Sequence, residues 1–143
     1  MSEQIILATS YGTALADDAV PCVITQWHGF ANKAEFIALQ NAALVYFEQH
    51  ATPTQPWGWV GDVRHMGAIP EEAQRWLQDE FNPRALAAGL RLVSVVVAES
   101  IFGKIATQHY AQQTATTAAA LGVTYYSSLA DAKAGARQEL QAR

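Results

Sequence analysis

Cysteine is almost absent. Cys22 is the only one in the chain, so no intrachain disulfide can form and nothing calls for an oxidising compartment. Clustered positive charge is missing too. The nine Lys and Arg residues stand singly among 13 acidic ones, for a net charge of −4, and without a basic stripe neither nucleic acid nor an anionic membrane surface is an expected partner. No apolar run approaches the roughly 18 residues of a membrane helix, and Met1-Ser2-Glu3-Gln4-Ile5-Ile6-Leu7 has no basic segment of the kind that opens a signal peptide. The expectation is a cytoplasmic chain with no membrane partner.

Motifs that carry chemistry are also missing. His28, His50, His65 and His109 show no His-x-His, His-Glu-x-x-His or Cys-paired spacing, which predicts no metal site. No Gly-x-Ser-x-Gly elbow and no phosphate-binding glycine loop occurs, so serine-hydrolase and nucleotide-hydrolysing chemistry have no support. No cofactor is expected. Cys22, inside the apolar segment Pro21-Cys22-Val23-Ile24, reads as a buried thiol rather than a reactive one.

What the chain does have is a packed-globule composition. Half of its residues are apolar and 15% are charged, and 143 residues bury enough apolar surface to fold as one domain spanning 1–143. Residues 4–9 and 21–28 read as two strands, antiparallel to each other, with Gly12 and Asp17-Asp18 suiting a turn between them. Over 32–50 the period changes. Phe36, Leu39, Ala43 and Phe47 recur at three and four, with Lys33, Glu35, Gln40 and Glu48 largely elsewhere, which predicts a helix capped by Asn32. A third strand follows over 57–63.

Pro70 suits the first turn of the next helix, where Glu71 and Glu72 favour the helix dipole. Ala73, Leu77 and Phe81, with Trp76 beside them, form its buried stripe. Asn82-Pro83 is expected to interrupt it, with a short piece running on to Gly89. Leu90–Ala98 is nearly all apolar, as expected of a strand covered on both faces at the sheet centre. A helix over 102–121 capped by Ser100, a strand over 123–126, and a terminal helix capped by Ser128 complete the chain. The class is α/β: a mixed, mostly parallel sheet of about five strands with helices packed on it.

This order of elements is that of the STAS fold. The stretch Asp62-Val63-Arg64-His65-Met66-Gly67-Ala68-Ile69-Pro70-Glu71-Glu72, then Trp76, Asn82-Pro83 and Gly89-Leu90-Arg91, resembles the STAS/SEC14 domain-containing (SpoIIAA-like) bacterial protein family. The resemblance covers roughly residues 20–140. It implies a non-catalytic binding or regulatory domain of unassigned specific function. Regulatory STAS proteins carry a phosphorylatable serine at the start of the helix after the third strand. Here Ile69-Pro70-Glu71-Glu72-Ala73 occupies that place, so such a switch is expected to be absent.

Seven residues stand out as candidates for a ligand or partner site; none is assigned a catalytic role. Asp62, Arg64 and His65 fall at or just beyond the end of the third strand, where open α/β sheets hold ligands; they read as an anion clamp with a titrating group, or as a structural ion pair. Trp57, Trp59 and Trp76 suit a core, a self-association patch or a pocket wall. Tyr126 ends the last strand. Three functions follow. The first is protein binding or homodimerisation through the Trp-bearing strand and the helix after Pro70. The second, from the SEC14 part of the resemblance, is an apolar-molecule or lipid pocket of a few hundred cubic ångströms framed by Trp and Tyr and gated by Arg64 and His65. The third is a small hydrolase or isomerase using Asp62 and His65.

Overall fold

A computed structural model describes residues 3–97 and 100–143. It is an α/β fold built on a mixed sheet of six strands, β1 (Glu3–Thr9), β2 (Gly12–Asp17), β3 (Cys22–Gly29), β4 (Gly58–Met66), β5 (Leu92–Val96) and β6 (Gly122–Tyr126), lying side by side in sequence order. The strands from β1 to β3 pair antiparallel and those from β3 to β6 parallel.

The strand that the sequence does not announce is β2, in the stretch where Gly12 and Asp17-Asp18 suit a turn. β2 is Gly12-Thr13-Ala14-Leu15-Ala16-Asp17, short of β-branched residues but regular in alternation. Ala14 and Ala16 face α1 (Lys33–His50), in the same core as Leu39 and Ala43, where only small side chains let a helix sit close on a sheet. Gly12 is required because a Cβ there would meet the Gln26 carbonyl oxygen at 2.6 Å. Consequently β1 and β3 are not partners: β2 lies between them. Asp17 is buried at the end of β2 and accepts from Lys133 Nζ at 2.9 Å, which ties α5 (Leu129–Gln141) to this side of the sheet. The centre is β3 and β4 rather than β5, which lies one strand in from the edge. β5 is still covered on both faces, Val93 and Val95 in one core and Val96 in the other. Residue 98, at the end of the expected strand, lies outside the described residues.

Because the parallel strands advance in one direction, crossovers of constant hand place every connecting helix on the same face. That face carries α1, the segment from Glu71 to Ala87, and α4 (Ile101–Thr117) over the larger core. The opposite face, with Cys22, Ile24, Val60 and Val96, is covered by Ala132 and Ala136 of α5. Caps match the local sequence. Asn32 accepts from the Glu35 N–H at 2.8 Å while Glu35 accepts from the Asn32 N–H at 2.9 Å, a reciprocal box. Ser100 and Ser128 accept from Gly103 and Asp131 at the starts of α4 and α5.

Asn82-Pro83 does not break its helix. From α2 (Glu71–Trp76) the chain widens into a π turn over Leu77–Phe81, where the Asn82 N–H reaches the Leu77 carbonyl five residues back, and continues as α3 (Asn82–Ala87). The wider turn makes room for the proline ring, which would otherwise strike the carbonyl four residues earlier. The exit is a Schellman motif: Leu90 N–H to Ala85 O at 2.9 Å, Gly89 N–H to Leu86 O at 3.0 Å, and Gly89 at φ +104°. α4 stops at Thr117, short of Gly122, and β6 begins at that glycine.

Candidate functional site

The seven sequence candidates do not form one site. β4 runs to Met66, so Asp62, Arg64 and His65 lie within its last residues rather than beyond it, and it is the fourth strand. Asp62 is 4% exposed. Its carboxylate accepts from Arg64 Nε at 2.9 Å and Nη2 at 2.7 Å, from the Arg64 N–H at 3.3 Å, and from Gln26 Nε2 at 3.2 Å on the neighbouring strand. Burial works against ionisation here, yet the Arg64 fork, the backbone N–H and the Gln26 amide outweigh it and hold the carboxyl below its ordinary value. The geometry is that of a structural ion pair. His65, the next residue, is exposed.

Gln26, Asp62, Val96 and Tyr126 occupy one register row across four strands, so Tyr126 is two strands from Asp62 with Val96 between. The Tyr126 ring lies against Gly135 of α5 and packs with the smaller core. Trp57 and Trp59 belong to the larger core on the other face, Trp59 edge-on to Phe81 at 4.8 Å. Trp76 is partly buried at the rim of that core. On the far side, burial, with Asp17 nearby, pushes the Cys22 thiol up to about 12, which keeps it protonated. Among the described residues no three of His, Cys, Asp and Glu group to hold a metal, and no helix is long and apolar enough to cross a membrane.

Two features that sequence reasoning missed lie on opposite sides of α4. The helix buries Gly103, Ala106, Thr107 and Thr114 toward the sheet, and turns Ile101 (68% exposed), Phe102 (64%) and Ile105 (57%) outward. These three form an apolar ridge over its first two turns. A groove of about 180 Å³ lined by Val97, Lys104, Thr107, Gln108 and Tyr125 runs along one flank, and one of about 280 Å³ containing Ala68, Ile69, Gln74 and His109 along the other.

Between the sheet, α1, the π turn and α4 lies a cavity of about 70 Å³, which α4 borders through Thr107 and Tyr110. Trp27, Phe36, Trp59, Phe81, Val93 and Val95 supply much of its apolar wall, with Thr25, Gln40, Thr107 and Tyr110 as its polar groups. It is smaller than the few hundred cubic ångströms expected of a lipid pocket, and neither Arg64 nor His65 lines it. Thr107 Oγ1 donates to the Gly103 carbonyl at 2.8 Å, and Tyr110 OH donates to Asn82 Oδ1 at 2.8 Å. Burial raises the Tyr110 phenol well above its usual value, so it stays a neutral donor. Asn82 in turn donates to Thr114 Oγ1 and Gln78 Oε1, both at 3.2 Å. This buried network anchors the second half of α4 to the π turn, while Ser100 Oγ anchors its start to the Met66 carbonyl at 2.6 Å.

Gln40 had a readable signal: it falls four residues after Phe36 and four before Leu44, inside the buried stripe of α1 and not on the polar side where its chemistry first placed it. The inverted character of α4 had one as well, in Ile101, Phe102 and Ile105 set against Gly103, Ala106 and Thr107 at helical spacing.

No protein-family model matches the chain, and the curated proteins contain no significant match to it.

Proposed function

We propose that this chain is a non-catalytic binding domain, of the regulatory STAS-like kind its sequence resembles, and that it docks through the first two turns of α4. The observation that carries the reading is the ridge of Ile101, Phe102 and Ile105 exposed beside Val97 and Tyr125, since contiguous apolar surface at the rim of a folded domain marks contact sites. The occupant is a second copy of the chain. A ridge flanked by grooves on one surface is self-complementary: a two-fold-related copy lays its ridge in the groove of the first, and receives the other in return. The Trp-bearing strand is not that surface, because Trp57 and Trp59 are in the core. Acid–base catalysis by Asp62 and His65 has little support, with the Asp62 oxygens taken by Arg64 and Gln26. Control by phosphorylation at the start of α2 is not part of the reading, since Pro70, Glu71 and Glu72 carry no hydroxyl.

Sedimentation equilibrium over a wide concentration range tests it. The expected result is a reversible dimer that Phe102→Asp or Ile105→Asp converts to monomer without loss of helix content. A monomer at every concentration, or a dimer unaffected by both substitutions, removes the reading.

A further inference from the structure

The cavity under α4 carries an inference separate from the docking ridge, which lies on the helix's other side. Thr25 and Gln40 are 2% and 7% exposed, and both line the cavity. Neither side chain makes a hydrogen bond among the described residues. They differ from Ser94 Oγ, a sealed hydroxyl without a partner on β5, in that their polar groups border open space. Buried hydroxyl and amide groups are expensive to leave unpaired, so two of them around one apolar cavity imply something inside that bonds to them.

Gly61 supports the same conclusion. It lies in the middle of β4, where glycine costs stability, and it also lines the cavity. Its backbone does not demand glycine, and a Cβ there would meet nothing closer than Thr25 Oγ1 at 3.9 Å. The missing methyl therefore leaves space that the fold does not need for itself.

We propose that this cavity is a binding site for a small uncharged molecule that carries one hydroxyl or carboxamide group on a short hydrocarbon body. Thr25 and Gln40 take the polar group, and Trp27, Trp59, Phe81 and Val95 enclose the body. The size follows from the volume: about 70 Å³ holds roughly two waters at the ~30 Å³ each occupies in the liquid, the room for about three heavy atoms. The charge follows from the lining, which contains no ionised side chain among the described residues, so an ion would meet no counter-charge there. Thr107 and Ile69, each shared with one flanking groove, mark where the ligand enters.

The test is a titration of the full chain with ethanol and formamide, and with formate and methylammonium as charged probes, followed through the tryptophan indole N–H resonances. Saturable shifts of the Trp27 and Trp59 signals are expected with the two neutral probes alone, with dissociation constants on the order of millimolar for ligands this small. Thr25→Val and Gln40→Met each weaken formamide about tenfold, as the loss of one hydrogen bond should, and Gly61→Ala, whose methyl takes up much of the space, abolishes binding. Absence of any saturable shift shows a cavity that holds water only and overturns the proposal. So does equal binding of the charged probes, or undiminished binding in Gly61→Ala. Should Gln40→Met not fold, Thr25→Val and Gly61→Ala decide the question, since both keep the strand backbone intact.

Discussion

α1 and α4 cover neighbouring parts of one sheet face and are held there by different physics. α1 puts Phe36, Leu39, Leu44 and Phe47 into the core and is fixed by apolar burial. α4 puts Gly103, Ala106, Thr107 and Thr114 there and is fixed at its ends, by Ser100 on Met66 and by the Asn82 network around Tyr110 and Thr114. Apolar burial scales with area and favours close contact. Point attachment by hydrogen bonds holds a helix whose inward residues are small and frees its large side chains for another surface.

Four substitutions sharpen that contrast. Phe47→Ala, at a fully buried site in α1, should lower unfolding free energy in urea by about 3–5 kcal/mol; a loss under about 1 kcal/mol would mean α1 is not the apolar anchor. Arg64→Met leaves the buried Asp62 carboxylate with only Gln26 and the backbone N–H of residue 64 and should cost about 3 kcal/mol at neutral pH. Asp62 is held below its ordinary value in the folded state, so its stabilisation is present above the unfolded pKa of about 3.9 and is lost as pH falls through the lower folded value. Denaturation midpoints followed across that acid range should therefore fall in the parent chain and flatten in the variant. Asn82→Ala should cost about 2 kcal/mol by orphaning Tyr110 OH, and should speed amide hydrogen exchange in α4 more than in α1. Equal acceleration in both helices would break the distinction. Phe102→Ala should change monomer stability by less than about 0.5 kcal/mol while weakening any dimer.

The sequence was legible where one force dominates. The period of α1, the cap at Asn32 and the valine run of β5 each follow from burial or capping alone, and each lies close to where it was expected. β2 was not legible because close helix packing selects alanine there, which mimics a turn-prone, weak strand. The Asn82-Pro83 pair misled because its local preference is to stop a helix, and the π turn that absorbs it is visible only in three dimensions. Candidate residues were chosen by chemistry, and Asp62 and Arg64 did prove to be joined. Trp57 and Trp59 went to the core and Trp76 to its rim, and Thr25 and Gln40 escaped notice because an unpaired polar group looks, in one dimension, like any other.

The one-directional winding of the sheet sets an order of assembly. Each strand from β2 onward pairs with the strand made before it, so the layer can grow as the chain leaves the ribosome, and its first face closes progressively as α1, α2, α3 and α4 arrive. The second face, with Cys22, Ile24, Val60 and Val96, waits for Ala132 and Ala136 of α5. A chain ending just before residue 129 holds all six strands with one apolar side of the sheet bare, the kind of exposed surface that makes incomplete chains prone to aggregate.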